Sequence, residues 1–283
     1  MSLLATIQNY TTPKEWAWIE SKTQNCTNKS LQTAFVATPR FISKNIIDNQ
    51  AIIEGLSVNQ WTLDRLVRVY FLSLLDASDK DAYCQSIDAL FETAENNEAV
   101  ALVSALSILK FPDYWLLRAT DAVRSNIGLI FDAIAFQNPY PMQYFSEAAW
   151  NQLILKCLFN DKPLHKILGL KERANETLTK NISDLAHERW AAGRHLPAEA
   201  WCVTPQFLNQ SLLPDLDRLL ISNIPLERIA GALACYESNF EAAHELLANQ
   251  QELKQKVEAG ELSWALVYQS ENKTGLMNYE NEL

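Results

Sequence analysis

The chain has 283 residues, of which 48% are hydrophobic and 20% charged, and its formal net charge is −10 at pH 7. This apolar content is enough to bury a large core, which excludes a disordered chain. The negative charge would repel phosphate backbones and anionic membrane surfaces, so we expect no nucleic-acid partner. With only 7 Gly and 10 Pro, the chain has few turn formers, and its composition favours helices over many strands.

Apolar residues recur at three- and four-residue steps along most of the chain, which is the spacing of an amphipathic helix. The first 55 residues are polar and weakly periodic, and no long run alternates as a strand would. In chain order, the pattern predicts helices over 59–75, 79–94, 96–110, 113–136, 144–159, 175–193, 224–237 and 240–258. Residues 195–222 contain three prolines and are predicted to form a broken connection.

Proline and glycine mark several predicted helix ends. The run Asn138-Pro139-Tyr140-Pro141 should stop the helix 113–136, because proline lacks an amide donor. Gly193 and Gly260 lie where C-terminal caps are expected. The connections between neighbouring helices are short, so we expect neighbours to be antiparallel.

These elements predict an all-α fold with helical hairpins stacked as an α-α superhelix, similar to a HEAT or armadillo solenoid. A compact helical bundle is the alternative, because no repeat recurs at a fixed spacing. We predict a main helical domain over 1–205, a C-terminal helical lobe over 206–268 that packs on it, and a disordered tail over 269–283.

The sequence shows no recognisable targeting segment or cofactor motif. The start of the chain lacks a basic segment followed by an apolar run, and the longest apolar stretch, 99–109, is too short to span a bilayer. We therefore predict a soluble, cytoplasmic protein without a membrane span. The five cysteines show no CxxC spacing, and GxGxxG, GxxxxGK[ST] and GxSxG motifs do not occur. We expect no metal site and no cofactor.

The predicted helix 113–136 has an apolar arc opposed by a polar line, which consists of Arg118, Asp121, Ser125, Gly128 and Asp132. An Arg–Asp pair at three-residue spacing is typical of a solvated helix face, where it stabilises the helix by about 0.2–0.5 kcal/mol. The alternative is that the line forms one wall of an internal polar network.

Two residues on other helices favour that alternative. Arg189 projects from the middle of the apolar arc of 175–193, and a buried guanidinium requires a partner because it remains charged. The candidate partners are Asp121, Asp132, Glu188 and Glu172. Asn151 lies at the edge of the apolar face of 144–159, where its amide would anchor the 138–141 turn or face a ligand. We favour the anchor.

The segment HERWAAGRH contains histidine and glutamate residues that could act in acid-base chemistry. His187 and Glu188 are adjacent and point in different directions, and the spacing to His195 does not place two imidazoles on one helical face. A HExxH zinc site is therefore excluded. A surface or capping histidine is the simpler interpretation, and the catalytic residues of any reaction remain unknown.

Four stretches in the centre of the chain carry a family resemblance. They are WLLRATDAVRSNIGLIFDAIAFQNPYP, YFSEAAWNQLILKCLF, ILGLKERAN and LAHERWAAGR, and they lie within 110–202. In order and spacing they resemble the EboA family. The motif falls on Arg118, Asp121, Arg124, Asn126, Asn138, Pro139, Tyr140, Pro141, Asn151, Lys156, Arg173, Asn175, Glu188, Arg189 and Arg194. This chain has Leu185 where the family often has Tyr, which puts any phenol-dependent role in doubt.

The resemblance implies an all-helical protein encoded in a bacterial ebo gene cluster. Such clusters accompany production of secondary metabolites and are implicated in moving a precursor from cytoplasm to periplasm. No activity is implied for the EboA protein itself. The expected partners are other proteins of the cluster or a cluster metabolite.

We therefore predict a helical interaction or small-molecule carrier protein rather than an enzyme. Its polar groove would hold an anionic or polyphenolic ligand by charge-assisted hydrogen bonds. The candidate binding residues are Arg118, Asp121, Arg124, Asn126, Asn151, His187, Glu188, Arg189 and Arg194. The alternative is an enzyme acting on a cyclised or prenylated intermediate, with Asp121, Glu188 and His187 as acid-base groups.

Overall fold

The computed structural model of the chain describes residues 2–271. The chain divides into two compact units, Met1–Ala149 and Trp150–Leu283. Helices make up nearly all the regular structure of the described residues, which confirms the predicted all-α class. The domain boundary predicted near residue 205 stays a prediction. Of the predicted tail, residues 272–283 lie outside the described residues.

The first unit contains nine α-helices and one β-hairpin in its described residues. In chain order they are α1 Leu3–Tyr10, α2 Pro13–Thr23, α3 Asn28–Ala37, β1 Ile52–Ile53, β2 Leu56–Ser57, α4 Leu63–Ser73, α5 Lys80–Thr93, α6 Asn96–Ala105, α7 Leu116–Arg124, α8 Gly128–Ala135 and α9 Pro139–Tyr144. Short 3-10 helices lie at Thr38–Arg40 and Pro112–Trp115.

Helix α4 is the centre of the first unit. It is buried from Leu63 to Leu72 except at Arg65, and it packs against α1, α3 and α6. The burial of this helix on nearly every face includes the ion pair between Asp64 and Arg68, whose charged atoms lie 3.4 Å apart. The two strands pair antiparallel with Ile53 opposite Leu56, and the Glu54–Gly55 turn has positive φ at both residues.

The second unit is also helical. Its elements are α10 Glu147–Phe159, which begins at the end of the first unit, α11 Glu176–Ala191, α12 Leu213–Leu220, α13 Pro225–Glu237, α14 Glu241–Ala248 and α15 Gln251–Glu258. Four 3-10 helices intervene at Leu164–Lys166, Ala198–Val203, Pro205–Phe207 and Gln210–Leu212. Residues 264–271 are again helical, so the first residues of the predicted tail are ordered as helix.

Helix α13 is the centre of the second unit, where it packs against α12, α14, α15 and the 3-10 helix Ala198–Val203. Gly231 permits the close approach of α12, because a Cβ at this position would lie 2.9 Å from the Cβ of Leu219. The C-terminal caps predicted at Gly193 and Gly260 are confirmed by their positive φ values of 68° and 72°.

The predicted single helix over 113–136 is wrong. Helix α7 ends at Arg124 and α8 begins at Gly128, because Ser125 and Ile127 adopt extended geometry. The hydroxyl of Ser125 accepts a hydrogen bond from the backbone of Ile127 at 3.1 Å, a local bond that competes with helix continuation. The polar line is therefore divided between two helices.

The structure differs from the predicted helices at three further places. The weakly periodic first 55 residues contain α1 to α3, which begin at side-chain caps from Ser2, Thr12 and Thr27. The predicted connection 195–222 contains α12 and several 3-10 turns. The predicted helix 240–258 breaks at Asn249 and Gln250 into α14 and α15.

Asn138-Pro139-Tyr140-Pro141 does stop the preceding helix, as predicted, and it also begins α9. The side chain of Asn138 accepts a hydrogen bond from the backbone of Tyr140 and donates to the carbonyls of Ala133 and Val103. Pro139 occupies the first turn of α9, where no amide donor is needed. Within residues 2–271, no helix combines the length and the apolar character needed to cross a membrane.

Candidate functional site

Arg189 is buried, as its position in the apolar arc of α11 predicts. Its guanidinium donates to a carboxylate oxygen of Asp161 at 2.9 Å, to the carbonyl of His195 at 3.1 Å and to the carbonyl of Leu158 at 2.6 Å. The suggested partners Asp121, Asp132, Glu188 and Glu172 are therefore wrong. Arg189 ties the end of α10 to the loop that follows α11, which is a structural role.

Asn151 pairs with Asn175, not with the 138–141 turn that the sequence favoured. Each amide nitrogen donates to the other side chain's oxygen, at 3.1 Å and 2.8 Å. The same oxygen of Asn175 accepts from the backbone of Leu178 and caps α11. The buried Asn151 side chain therefore supports the beginning of α11.

The predicted site residues of the first unit lie in separate environments. Arg118 pairs with Asp88 of α5, with 2.7 Å between the charged atoms. Arg124 pairs with Asp121 at 3.2 Å, and both side chains are more than half exposed. Asn126 is exposed in the break between α7 and α8. A pair as exposed as Arg124–Asp121 contributes little stability, which is the behaviour of a solvated helix face.

His187 is the predicted site residue with the most developed surroundings. Its Nε2 lies 2.5 Å from one carboxylate oxygen of Asp215, and the Ser183 hydroxyl donates to the other oxygen at 2.5 Å. The Asp215 side chain is 3% exposed and the His187 side chain 58% exposed. A buried carboxylate thus holds a surface imidazole in a fixed orientation.

Trp190 lies one turn after His187 and continues the same surface. The ring of His187 lies 5.6 Å from the ring of Trp190, and the Arg218 guanidinium lies over that ring at 4.4 Å. Behind it, Trp190 stacks on the buried Trp201 with 6.2 Å between centroids. We call His187, Trp190, Asp215 and Arg218 the α11–α12 site.

Two contacts between α11 and α12 make up the α11–α12 site. Asp215 and Arg218 are three residues apart on α12, and they meet His187 and Trp190, which are three residues apart on α11. Residues at this spacing share one helix face. Arg218 is exposed, and its guanidinium donates no hydrogen bond to any residue between 2 and 271. Its five N–H groups are therefore available to an anion.

Two other predicted residues of α11 and its C-terminal loop are exposed. Glu188 lies beside His187 in sequence but makes no bond with it, and Arg194 follows the glycine cap. The proposed combination of Asp121, Glu188 and His187 is therefore not assembled as a bonded group, because the described bonds of Asp121 and His187 go to Arg124 and Asp215.

Buried carboxylates also hold two further histidines of the second unit. Glu199 accepts hydrogen bonds from the backbone of Leu164 and His165, and its carboxylate lies 2.8 Å from Nδ1 of His165. Glu227 lies 2.9 Å from Nδ1 of His195. These pairs tie loops to helix ends, and each carboxylate is less than a tenth exposed.

The carboxylate of Glu271 links the helical segment 264–271 to the 3-10 helix Ala198–Val203. Glu271 accepts a hydrogen bond from the backbone of Ala198, and the ring of Tyr268 stacks on His165 at 5.3 Å. Burial and the nearby charge of Glu199 raise the pKa of Glu271 to about 7, although hydrogen bonds from the backbone of Ala198 and Glu199 oppose the shift.

Sequence reasoning missed Asp215, Arg218 and Trp190. The two α12 residues lie in LLPDLDRLL, within the segment interpreted as a broken connection. The apolar spacing of that segment and its proline in the first turn were signals for a helix. The pairing of His187 with Asp215 had no local signal in the sequence, because the two residues are 28 positions apart.

No group of three or more His, Cys, Asp or Glu side chains among residues 2–271 is arranged to hold a metal ion. Four of the five cysteines are buried, and Cys26 is partly exposed. The fold and the site together define an all-α protein that places a carboxylate-held imidazole, an indole and an exposed guanidinium on one surface.

The chain belongs to the EboA family. The family model described as "Metabolite traffic protein EboA" matches residues 1–204, which confirms the resemblance of the central motifs. No curated protein and no solved structure matches the chain. The family match ends before α12, so it includes His187 and Trp190, whereas Asp215 and Arg218 come from the following segment.

Proposed function

We propose that this protein is a carrier that binds an anionic aromatic metabolite at the α11–α12 site. The observation that carries the proposal is the Arg218 guanidinium, which lies over the Trp190 ring, beside a histidine held by Asp215, and has no ion-pair partner among residues 2–271. An indole supplies apolar contact area, and a guanidinium supplies charge-assisted hydrogen bonds to an anion. The family name, metabolite traffic protein, agrees with such a role.

The biological setting belongs to the same proposal. We infer that the protein acts in the cytoplasm on a secondary metabolite of an ebo gene cluster and hands it on for export to the periplasm. Arg118, Arg124 and Asn126 lie in the first unit and remain candidate contacts for a protein of the cluster. The formal net charge of the chain is −10, so the Arg218 guanidinium is the group of the α11–α12 site that an anion would contact.

Titration with 1-naphthoate, an aromatic anion, tests the binding function directly. We expect saturable heat by calorimetry and a shifted indole N–H signal of Trp190 in the nuclear magnetic resonance spectrum. Arg218→Gln should weaken binding about tenfold, since the loss of a charge-assisted bond costs about 1.5 kcal/mol or more. The neutral 1-naphthalenemethanol should bind weakly to both proteins.

Arg194→Gln is the matched control, because Arg194 is exposed and lies outside the α11–α12 site. It should bind 1-naphthoate as the wild type does. Absence of saturable binding by the wild type, or an equal loss in both variants, would contradict the proposed site. Capture of the protein from a producing cell, followed by mass spectrometry, then identifies the natural metabolite.

A second candidate function, docking of a partner protein, is favoured by exposed apolar side chains on α7 and α8. Leu117 is 67% exposed and Leu129 is 61% exposed. Exposed apolar residues of this size are typical of interaction surfaces when they cluster. The same capture experiment separates the candidates, because Leu117→Ser with Leu129→Ser should release a protein partner and leave 1-naphthoate binding unchanged.

A further inference from the structure

We propose that the α11–α12 site takes a ligand with a weakly acidic hydroxyl, a phenol or enol, and that Nδ1 of His187 accepts the hydroxyl proton on binding. This inference rests on the proposed function, because it assigns the ligand chemistry of the same site. It adds a proton transfer to what would otherwise be simple anion capture.

The hydrogen bonds of Asp215 fix the tautomer of His187. Both oxygens of a carboxylate are acceptors, and Ser183 already donates to one of them. The hydrogen between the other oxygen and Nε2 must therefore reside on Nε2. A neutral imidazole protonated at Nε2 carries its lone pair on Nδ1. In the described part of the chain, Nδ1 has no hydrogen-bond partner, and the side chain is 58% exposed.

The buried Asp215 also holds the imidazole in place. Its side chain is 3% exposed, and its carboxylate lies 2.5 Å from Nε2 of His187. A carboxylate behind an imidazole stabilises the protonated ring while keeping its orientation. Ser183 holds the second oxygen and prevents the carboxylate from turning away.

The proton transfer from the ligand to His187 needs no further reactant. The O–H bond of the ligand breaks, its proton forms an N–H bond at Nδ1, and the electron pair remains on the ligand oxygen. The ligand becomes an oxyanion, His187 becomes a cation, and the unpaired guanidinium of Arg218 is available to the oxyanion. Trp190 contacts both His187 and Arg218, which keeps the acceptor and the cation on one surface.

The other charged groups near His187 do not take its place as the proton acceptor. On its own helix, Asp184 pairs with Lys180 at 2.5 Å, and Glu188 is exposed. From α12, Asp215 and Arg218 face the site, and Asp217 is exposed. The Asp215 carboxylate has both oxygens engaged, so the free Nδ1 is the acceptor that a ligand hydroxyl meets.

The test uses 4-nitrophenol, whose phenolate has its own visible absorbance, and its methyl ether, 4-nitroanisole, which has no acidic proton. The full-length protein is titrated into each probe at a pH at which free 4-nitrophenol is mostly protonated. We expect the phenolate absorbance to appear on binding, and we expect the ether to bind about tenfold more weakly. Calorimetry in two buffers of different ionisation enthalpy should show no net proton release, because His187 retains the proton.

His187→Gln should abolish the phenolate absorbance, whereas His244→Gln, at an exposed histidine of α14, should leave it unchanged. Circular dichroism verifies that both variants fold. Binding of 4-nitrophenol by the wild type without phenolate absorbance would overturn the proton transfer and leave the proposed binding function intact. An unchanged phenolate signal in His187→Gln would do the same. Failure of 4-nitrophenol, 4-nitroanisole and 1-naphthoate to bind the wild type would overturn both proposals.

Discussion

The carboxylate of Asp215 lies 2.5 Å from Nε2 of His187, and this contact joins the last part of the family-matched region to the segment that follows it. One partner is buried and the other is at the surface. The contact therefore does two things at once: it packs α12 against α11 and orients an exposed imidazole.

Replacing Asp215 by Asn should destabilise the fold. An amide offers one oxygen and one NH2 group in place of two acceptor oxygens, so the bond to Ser183 or to His187 must reverse its donor and acceptor or be lost. We expect the free energy of unfolding to fall by about 1–3 kcal/mol in urea denaturation. Asp217→Asn, at an exposed position on the same helix, should change it by less than about 0.5 kcal/mol. Equal stabilities for the two variants would contradict the structural role of Asp215.

Arg189→Lys should be costly although it preserves the charge. The guanidinium serves two carbonyls and the Asp161 carboxylate from one planar group. A lysine ammonium has a different reach and geometry, and leaves buried carbonyls unsatisfied. We expect a loss of about 2 kcal/mol in thermal or chemical unfolding. The control is Arg194→Lys at an exposed position, and similar behaviour of both variants would mean that Arg189 does not tie these segments together.

The Asn151–Asn175 pair should show energetic coupling in a double-mutant cycle. Asn175→Ala removes both the pair and the cap of α11, whereas Asn151→Ala removes the pair alone. We expect losses of about 2 and about 1 kcal/mol respectively, with a coupling of about 1 kcal/mol. Gln152→Ala is the neutral control on the same helix, because Gln152 is exposed. Strict additivity of the two substitutions would show that the amides do not act together.

Docking of the helical segment 264–271 should weaken as the pH rises through about 7. The pKa of Glu271 is raised from 4.5 to about 7 in the folded chain, so the docked segment binds a proton more tightly than the free one. This stabilisation is fully present below about 4.5 and is lost as the pH rises through about 7. Among the described residues, the other titratable groups around this segment are Glu199, Glu237, Lys171, His165, Tyr268 and Cys202.

Hydrogen exchange of residues 264–271, corrected for the intrinsic pH dependence of exchange, measures this docking. We expect protection to decrease as the pH rises from about 4.5 to about 7 and to level off above that. Glu271→Gln should flatten the profile, whereas Glu261→Gln, at an exposed position, should not. Protection that is independent of pH in the wild type, or a profile unchanged by Glu271→Gln, would contradict the prediction.

The sequence by itself determined the helical class and most helix positions, because the apolar periodicity of helices such as α5, α10, α11 and α13 is local information. It also located Arg189 inside an apolar arc and thereby required a partner for it. It did not find the break at Ser125, since a serine hydroxyl that competes for a backbone donor leaves the apolar pattern unchanged.

The tertiary structure alone decided which polar groups meet. Asp161 rather than Asp121 pairs with Arg189, and Asn175 rather than the 138–141 turn pairs with Asn151. Asp215 reaches His187 across 28 residues of chain. Each of these pairings depends on how helices pack, which is set by many weak apolar contacts distributed over the chain. Periodicity shows which face of a helix is buried, but it does not show which residue lies opposite that face.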